Sequence, residues 1–114
     1  MTDSASMTGD WLTIPELVDV LGLGPGKIHR LIEDKHLAGV RIDGVLKVPG
    51  VFLKDGEPLR ELRGTLTLLA DAGFSDEDAV EWLLEAEETL GVAPVEALRE
   101  GRKAEVRRVA QALA

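Results

Sequence analysis

The sequence contains no cysteine. Disulfides, thiolate metal sites and thiol nucleophiles are therefore excluded, and the chain suits a reducing compartment. Tyrosine is also absent, and tryptophan and phenylalanine number two each. The core must be built from Leu, Val, Ile and Ala. No run approaches the roughly 20 apolar residues that cross a bilayer. The N-terminus lacks the basic-then-apolar layout of a secretory signal. The chain thus reads as cytoplasmic, with no membrane partner. Catalytic groupings are missing as well. No Ser, His and Asp share a recognisable local context. His29 and His36 are seven residues apart, with no third ligand at metal spacing. Gly22-x-Gly24-x-Gly26 has no preceding strand and no Gly-Lys-Ser/Thr ending, so it reads as a turn rather than a phosphate loop. The acids at 76–78 and 85–88 read as a solvated helix face rather than a cation site. The expectation is a non-enzyme without metal or cofactor.

What is present is a surplus of acid. Net charge is −8, from 13 basic and 21 acidic residues in a chain of 114. That surplus opposes indiscriminate nucleic-acid binding, which needs Lys and Arg to neutralise phosphate. The charge is unevenly spread. Residues 1–23 carry four acids and no base, whereas residues 24–49 carry five bases against three acids, a net of +2. A mildly basic segment lies inside an acidic protein.

Residues 1–10 lack apolar periodicity and read as a flexible leader. Thr13 is a helix N-cap, Glu16 three residues later completes a capping box, and Pro15 suits the first turn. Leu17, Val18 and Leu21 follow at helical spacing, and Gly22 ends the helix. A second helix over 25–35 starts at Pro25 and turns Ile28, Leu31 and Ile32 inward. Lys27, His29, Arg30 and Glu33 fall on its other faces. Two short helices joined by Gly22-Leu23-Gly24 form a helix-turn-helix arrangement. Asp43-Gly44 between β-branched runs predicts a hairpin over 40–48, placed as a wing. Residues 50–60 read as a short extended piece and a turn. Helices are expected from Leu59 to Ala72, from Ser75 to the break at Leu90-Gly91-Val92, from Pro94 to Gly101, and from about Arg102 onward with Val106, Val109, Ala110 and Leu113 inward. The fold class is mainly α with a small β-hairpin: a winged helix-turn-helix over 11–53, followed by a C-terminal helical region over 54–114 that packs on it.

The stretch LTIPELVDVLGLGPGKIHRLIEDKHLAGVRIDGVLKVP resembles the excisionase-like and MerR-like winged helix-turn-helix families. The residues that carry the likeness are Leu12, Thr13, Glu16, Leu17, Leu21-Gly22-Leu23, Ile28, Leu31-Ile32, Leu37 and Val48-Pro49. With Trp11, GTLTLLADAGFSDEDAVEWL and the PVEAL and EVRRVAQALA segments, the whole chain resembles an actinobacterial group of small winged-helix DNA-binding proteins. In mycobacteria that group includes a substrate of a membrane Ser/Thr protein kinase. The resemblance implies double-stranded DNA as partner and transcription regulation as role. It also implies a Ser/Thr protein kinase as a further partner, with Thr8 of the leader as candidate phosphorylation site.

On that reading the 25–35 helix enters the major groove, where each base pair shows a distinct donor and acceptor pattern. Arg30 is the candidate guanine reader, through its planar fork. Lys27 is the candidate phosphate contact, with His29 and Lys35 beside them. Arg41 and Lys47 on the hairpin would track the backbone or the minor groove. Read from charge alone, the bases are ordinary surface residues of a small helical domain; the order of motifs favours DNA. Three departures from the family pattern imply modest, salt-dependent binding: Glu33-Asp34 in place of a base and an acid, Gly24 in place of a Ser or Thr cap, and an acidic wing tip. The run from Arg99 to Arg108 has a local net of +3 and is expected either to add phosphate contacts or to pair with the acidic helix before it. LGVAPVEALREGRKAEV also resembles the C-terminal region of some antitoxins, so the alternative is an interaction module of antitoxin or adaptor type. Without a long coiled coil, the chain is expected to be a monomer or weak dimer.

Overall fold

The computed structural model describes residues 10–113. Residues 1–9 of the leader, Thr8 among them, lie outside the described residues. The chain runs β1 (Trp11–Thr13), α1 (Ile14–Leu21), α2 (Pro25–Glu33), β2 (Val40–Ile42) and β3 (Val45–Pro49). A 3-10 turn (Gly50–Phe52) then leads through β4 (Leu53–Lys54) and β5 (Glu57–Pro58) into α3 (Leu62–Asp71), α4 (Asp76–Leu84), α5 (Pro94–Arg99) and α6 (Lys103–Gln111). The architecture is the expected one, mainly helical with a small antiparallel sheet.

The first helix is built as its sequence dictates. The Glu16 amide donates to the Thr13 hydroxyl at 3.4 Å, and the Thr13 amide donates to the Glu16 carboxylate at 2.8 Å. Gly22 closes the helix in the left-handed region at φ 69°, its N–H donating to the Val18 carbonyl. Asp43 and Gly44 both have positive φ, 53° and 81°, which the two-residue hairpin turn requires.

The wing is larger than a hairpin. β1 pairs with β3, Trp11 opposite Pro49 and Thr13 opposite Lys47, giving a three-stranded antiparallel sheet in the order β1-β3-β2. Three residues are too few for alternation to announce a strand, and the partner is distant in sequence. A second hairpin, β4–β5, turns on Asp55 and Gly56 at φ 54° and 75°. It carries the same Asp-Gly signal as the wing. Gly39 is buried before β2, and a Cβ there would sit 2.7 Å from the Lys47 carbonyl oxygen, so the strand approach depends on its missing side chain.

Several expectations are corrected, among them the start of α3, which is Leu62 rather than Leu59. α2 ends at Glu33 rather than 35, because Lys35 adopts φ 69°. α4 ends at Leu84; Glu85 is extended, and Glu87 instead bridges to Val92. Carboxylates at a helix C-terminus oppose the dipole, which disfavours carrying the helix on through Glu85, Glu87 and Glu88. Leu113 is exposed rather than inward. The basic terminal run does not pair with α4 either. Among the described residues its ion pairs are from Arg102 to Glu100 and Glu105, at 3.3 and 2.9 Å. Arg102 also donates to the Leu90 carbonyl at 3.0 Å, and α6 packs along α3.

One apolar cluster joins both halves. Leu17, Ile28, Leu37 and Val48 belong to it, as do Leu62, Leu69, Leu83, Leu98 and Val106, all at 2% exposure or less. Phe52, fully buried, sits where the halves meet, and its carbonyl accepts from the Leu59 amide at 2.8 Å. Arg99 fastens the same joint by donating to the Val51 and Leu53 carbonyls at 3.1 and 2.6 Å.

A shared core predicts shared melting. Trp11 reports the first half and Trp82 the second, so single-tryptophan variants should unfold in urea with coincident midpoints. Phe52→Ala should lower stability by about 3–5 kcal/mol as seen by both probes; a midpoint shift confined to one would contradict it. Acid titration gives a second test. The Thr13 backbone N–H, its hydroxyl and the Lys47 charge hold the Glu16 carboxyl below its ordinary value of 4.5. Hydrogen bonds from Arg102 do the same for Glu105. A depressed carboxylate stabilises the fold above its unfolded value, and that contribution disappears as pH falls through the folded one. Stability should therefore drop below about pH 4.5, and the Glu16→Gln, Glu105→Gln double variant should show a flatter drop in urea titrations across that window.

Candidate nucleic-acid interface

α2 is positioned from both ends. Gly24 caps it without a side-chain bond, and Pro25 occupies the first turn. At its far end Lys35, in the left-handed region, closes the helix: the Lys35 amide donates to Ile32 at 3.2 Å and the His36 amide to Leu31 at 2.9 Å. Ile28 is fully buried, and Leu31 and Ile32 are half-buried. Successive helical residues turn by about 100°, so Gly26, Arg30 and Glu33 form the row opposite that buried face. Lys27 and His29 flank it on either side. All five are exposed. Lys27 and Arg30 line one shallow depression together with Leu23, Gly26 and Leu31. Among the described residues, neither base has an ion-pair partner.

The other sequence-derived candidates are placed differently. Lys35 is half-buried, and its ammonium is 3.1 Å from the Asp76 carboxylate at the start of α4. On the wing, Arg41 is opposite Leu46 whereas Lys47 is opposite Val40. Strand residues alternate faces, so Arg41 and Lys47 point to opposite sides of the sheet. Arg41 stays near the turn, where its Nη1 lies 3.4 Å from the Gly44 carbonyl oxygen. Lys47 lies between β1 and β2, and its charge acts on Glu16. Lys27 and Arg30 therefore share one surface, with His29 on the opposite flank of the helix, and the two wing bases cannot both join them from the same face of the sheet.

Two further residues reach the end of α2 from the C-terminal half. Arg63 donates from Nε to the Asp34 carbonyl at 3.0 Å, and Asp76 holds Lys35. No local sequence signal marks either, since each contact spans 29 or 41 residues. Among the described residues, no three His, Cys, Asp or Glu side chains gather as metal ligands would. No helix there is long and apolar enough to cross a membrane.

Comparison with known proteins agrees with this fold. Residues 1–53 match the family described as "DNA-binding protein Rv2175c, wHTH domain", and residues 59–114 match "Rv2175c C-terminal domain of unknown function". The chain is 31% identical over 114 aligned positions to the DNA-binding protein Rv2175c of Mycobacterium tuberculosis, covering 89% of this chain and 78% of that one. An excisionase of Streptomyces ambofaciens is 36% identical over 50 positions, 44% of this chain and 81% of the relative. The NMR structure of Rv2175c superposes with a TM-score of 0.84 at 30% identity, over 92% of this chain and 81% of that one. A capped helix-turn-helix with a three-stranded wing, closed from behind by a helical C-terminal half, together with these matches, shows that the chain belongs to the Rv2175c family of winged helix-turn-helix DNA-binding proteins.

Proposed function

We propose that this chain is a non-enzymatic, double-stranded-DNA-binding transcriptional regulator that places α2 in the major groove. The observation that carries the reading is the outward row of α2, with Arg30 at its middle and Lys27 beside it, neither ion-paired among the described residues. Arg30 projects from the face opposite the buried one, as a base reader must, and its two-pronged guanidinium suits the acceptor pair on guanine. Lys27, in the first turn, suits phosphate, as does the uncapped helix N-terminus itself. Lys35 serves this reading as a positioning residue, since its charge is already engaged by Asp76. Arg41, exposed at the wing turn, suits a backbone contact; Lys47 suits one less, because it is half-buried in the central strand. His29 stands on the opposite flank of α2 from Lys27. The relatives' description as DNA-binding supports the same conclusion. A Ser/Thr kinase acting at Thr8 belongs to the proposal only through the chain's resemblance to a group that includes a kinase substrate. A phosphate on Thr8 would add charge of about −1.5 to −2.

Selection of bound sequences from random duplexes, followed by fluorescence anisotropy, tests the reading. Arg30→Ala should cost about 1–3 kcal/mol on the selected site and relax the preference at one base pair. Lys27→Ala should weaken every duplex alike and lower the salt slope by about one. Equal binding by wild type and the Lys27→Ala, Arg30→Ala double variant at low salt would refute it.

A further inference from the structure

We infer that the C-terminal half carries a second, sequence-independent part of the DNA interface, in which Arg63 and Arg107 hold the phosphate backbone beside the C-terminal end of α2. The inference rests on the reading of α2 as the DNA-facing helix. Arg63 is exposed in the first turns of α3, and its Nε is fixed to the Asp34 carbonyl at 3.0 Å. Its guanidinium thus stands at the end of α2, with both terminal amino groups making no hydrogen bond among the described residues. It also offsets the negative end of that helix, where Glu33 and Asp34 lie exposed.

Arg107 comes from α6. Its guanidinium lies across α3 directly over Gly64, in the space a Cβ at position 64 would occupy. Gly64 follows Arg63, so the Arg107 guanidinium lies over α3 one residue along from Arg63 and about 100° around the helix from it. Glycine inside a helix is a poor helix former; here its missing side chain is what lets the guanidinium lie flat. Arg107 is exposed, and among the described residues it makes no ion pair.

The remaining bases of the C-terminal run sort themselves around it. Arg99 is spent on the Val51 and Leu53 carbonyls, and Arg102 on Leu90, Glu100 and Glu105. Arg108 acts on the Glu105 carboxylate. It projects about 100° around α6 from Arg107, on the far side from α3. Lys103 is one turn before Arg107, on the same flank. The α2–hairpin segment nets only +2 in a chain of −8, so a duplex seated on α2 needs more phosphate neutralisation than that segment supplies. The flank bearing Arg107 is the charge available next to it.

The test is a salt series of anisotropy titrations with the full chain and a labelled duplex carrying the selected site. Arg63→Ala and Arg107→Ala should each weaken binding several-fold on every duplex sequence and lower the salt slope by about one. Arg108→Ala, which removes the same charge from the other flank, should leave the slope at its wild-type value. Gly64→Ala keeps every charge and favours the helix, so its thermal midpoint should not fall; displacement of the Arg107 guanidinium should still weaken binding. Wild-type slopes for Arg63→Ala and Arg107→Ala, with Arg30→Ala still impaired, would overturn the inference and leave the α2 reading standing. Equal losses from Arg107→Ala and Arg108→Ala would overturn it too, as would the absence of any duplex binding by wild type, which removes both readings.

Discussion

Burial governs this chain before any charge does. α1 and α2 each contribute one fully buried residue, Leu17 and Ile28. Two helices closing on so little apolar area cannot offset the entropy of ordering their own backbones. The sheet adds Val48 behind them, and Leu37 and Ala38 come from the approach to β2. Most of the remaining core arrives from beyond residue 53, through α3, α4, α5 and α6. Phe52 and Arg99 lie at the joint, one filling it and the other satisfying two of its carbonyls. The helix-turn-helix can keep a wholly polar outer row on α2 because something else closes its inner side.

That dependence shapes the electrostatics. An acidic chain can carry a basic reading surface only if its acids are placed where they do other work. Asp76 is the clearest case. It stands in the first turn of α4, where the dipole favours it, and holds Lys35 at 3.1 Å. Such half-exposed pairs contribute little stability, about 0–1 kcal/mol. Their value here is geometric, since Lys35–Asp76 and Arg63–Asp34 both fix the end of α2 to the helices behind it. Glu16 is similarly occupied in the capping box. Lys27 and Arg30 remain without acidic partners among the described residues, on the exposed side of α2.

Features set by near neighbours were legible in the sequence. The Thr13–Glu16 box, the Gly22 terminus, the Pro25 start, the Asp43-Gly44 turn and the Ser75 cap each depend on residues within four positions. The outward placement of Lys27, His29 and Arg30 followed from helical period alone. What was missed depends on distance along the chain. β1 is a strand only because β3 lies beside it, and Lys35 is held only because Asp76 folds back. The Asp55-Gly56 hairpin is the exception. Its signal was local, but flanking strands of two residues each left no alternation to read. The basic terminal run misled for a different reason: opposite charges on neighbouring helices suggested pairing, but α6 turns its flank to α3 instead of α4.

The register of the sheet also limits what a wing can do. Because Arg41 opposes Leu46 and Lys47 opposes Val40, the pleat sends the two bases to opposite faces. A duplex seated on α2 can meet one of them directly, and the other would need to reach around the strand edge. Lys47 is also in the central strand, between β1 and β2, with Glu16 close enough to offset it. Arg41 lies near the open turn and carries no ionic partner there. If the hairpin holds backbone phosphate, Arg41 is the base placed at its turn, whereas Lys47 lies in the central strand. A single wing contact is a weak clamp on that side. If α2 is the DNA-facing helix, as proposed, holding a duplex against it calls for charge from its other end, where Arg63 binds the Asp34 carbonyl and Arg107 lies over Gly64.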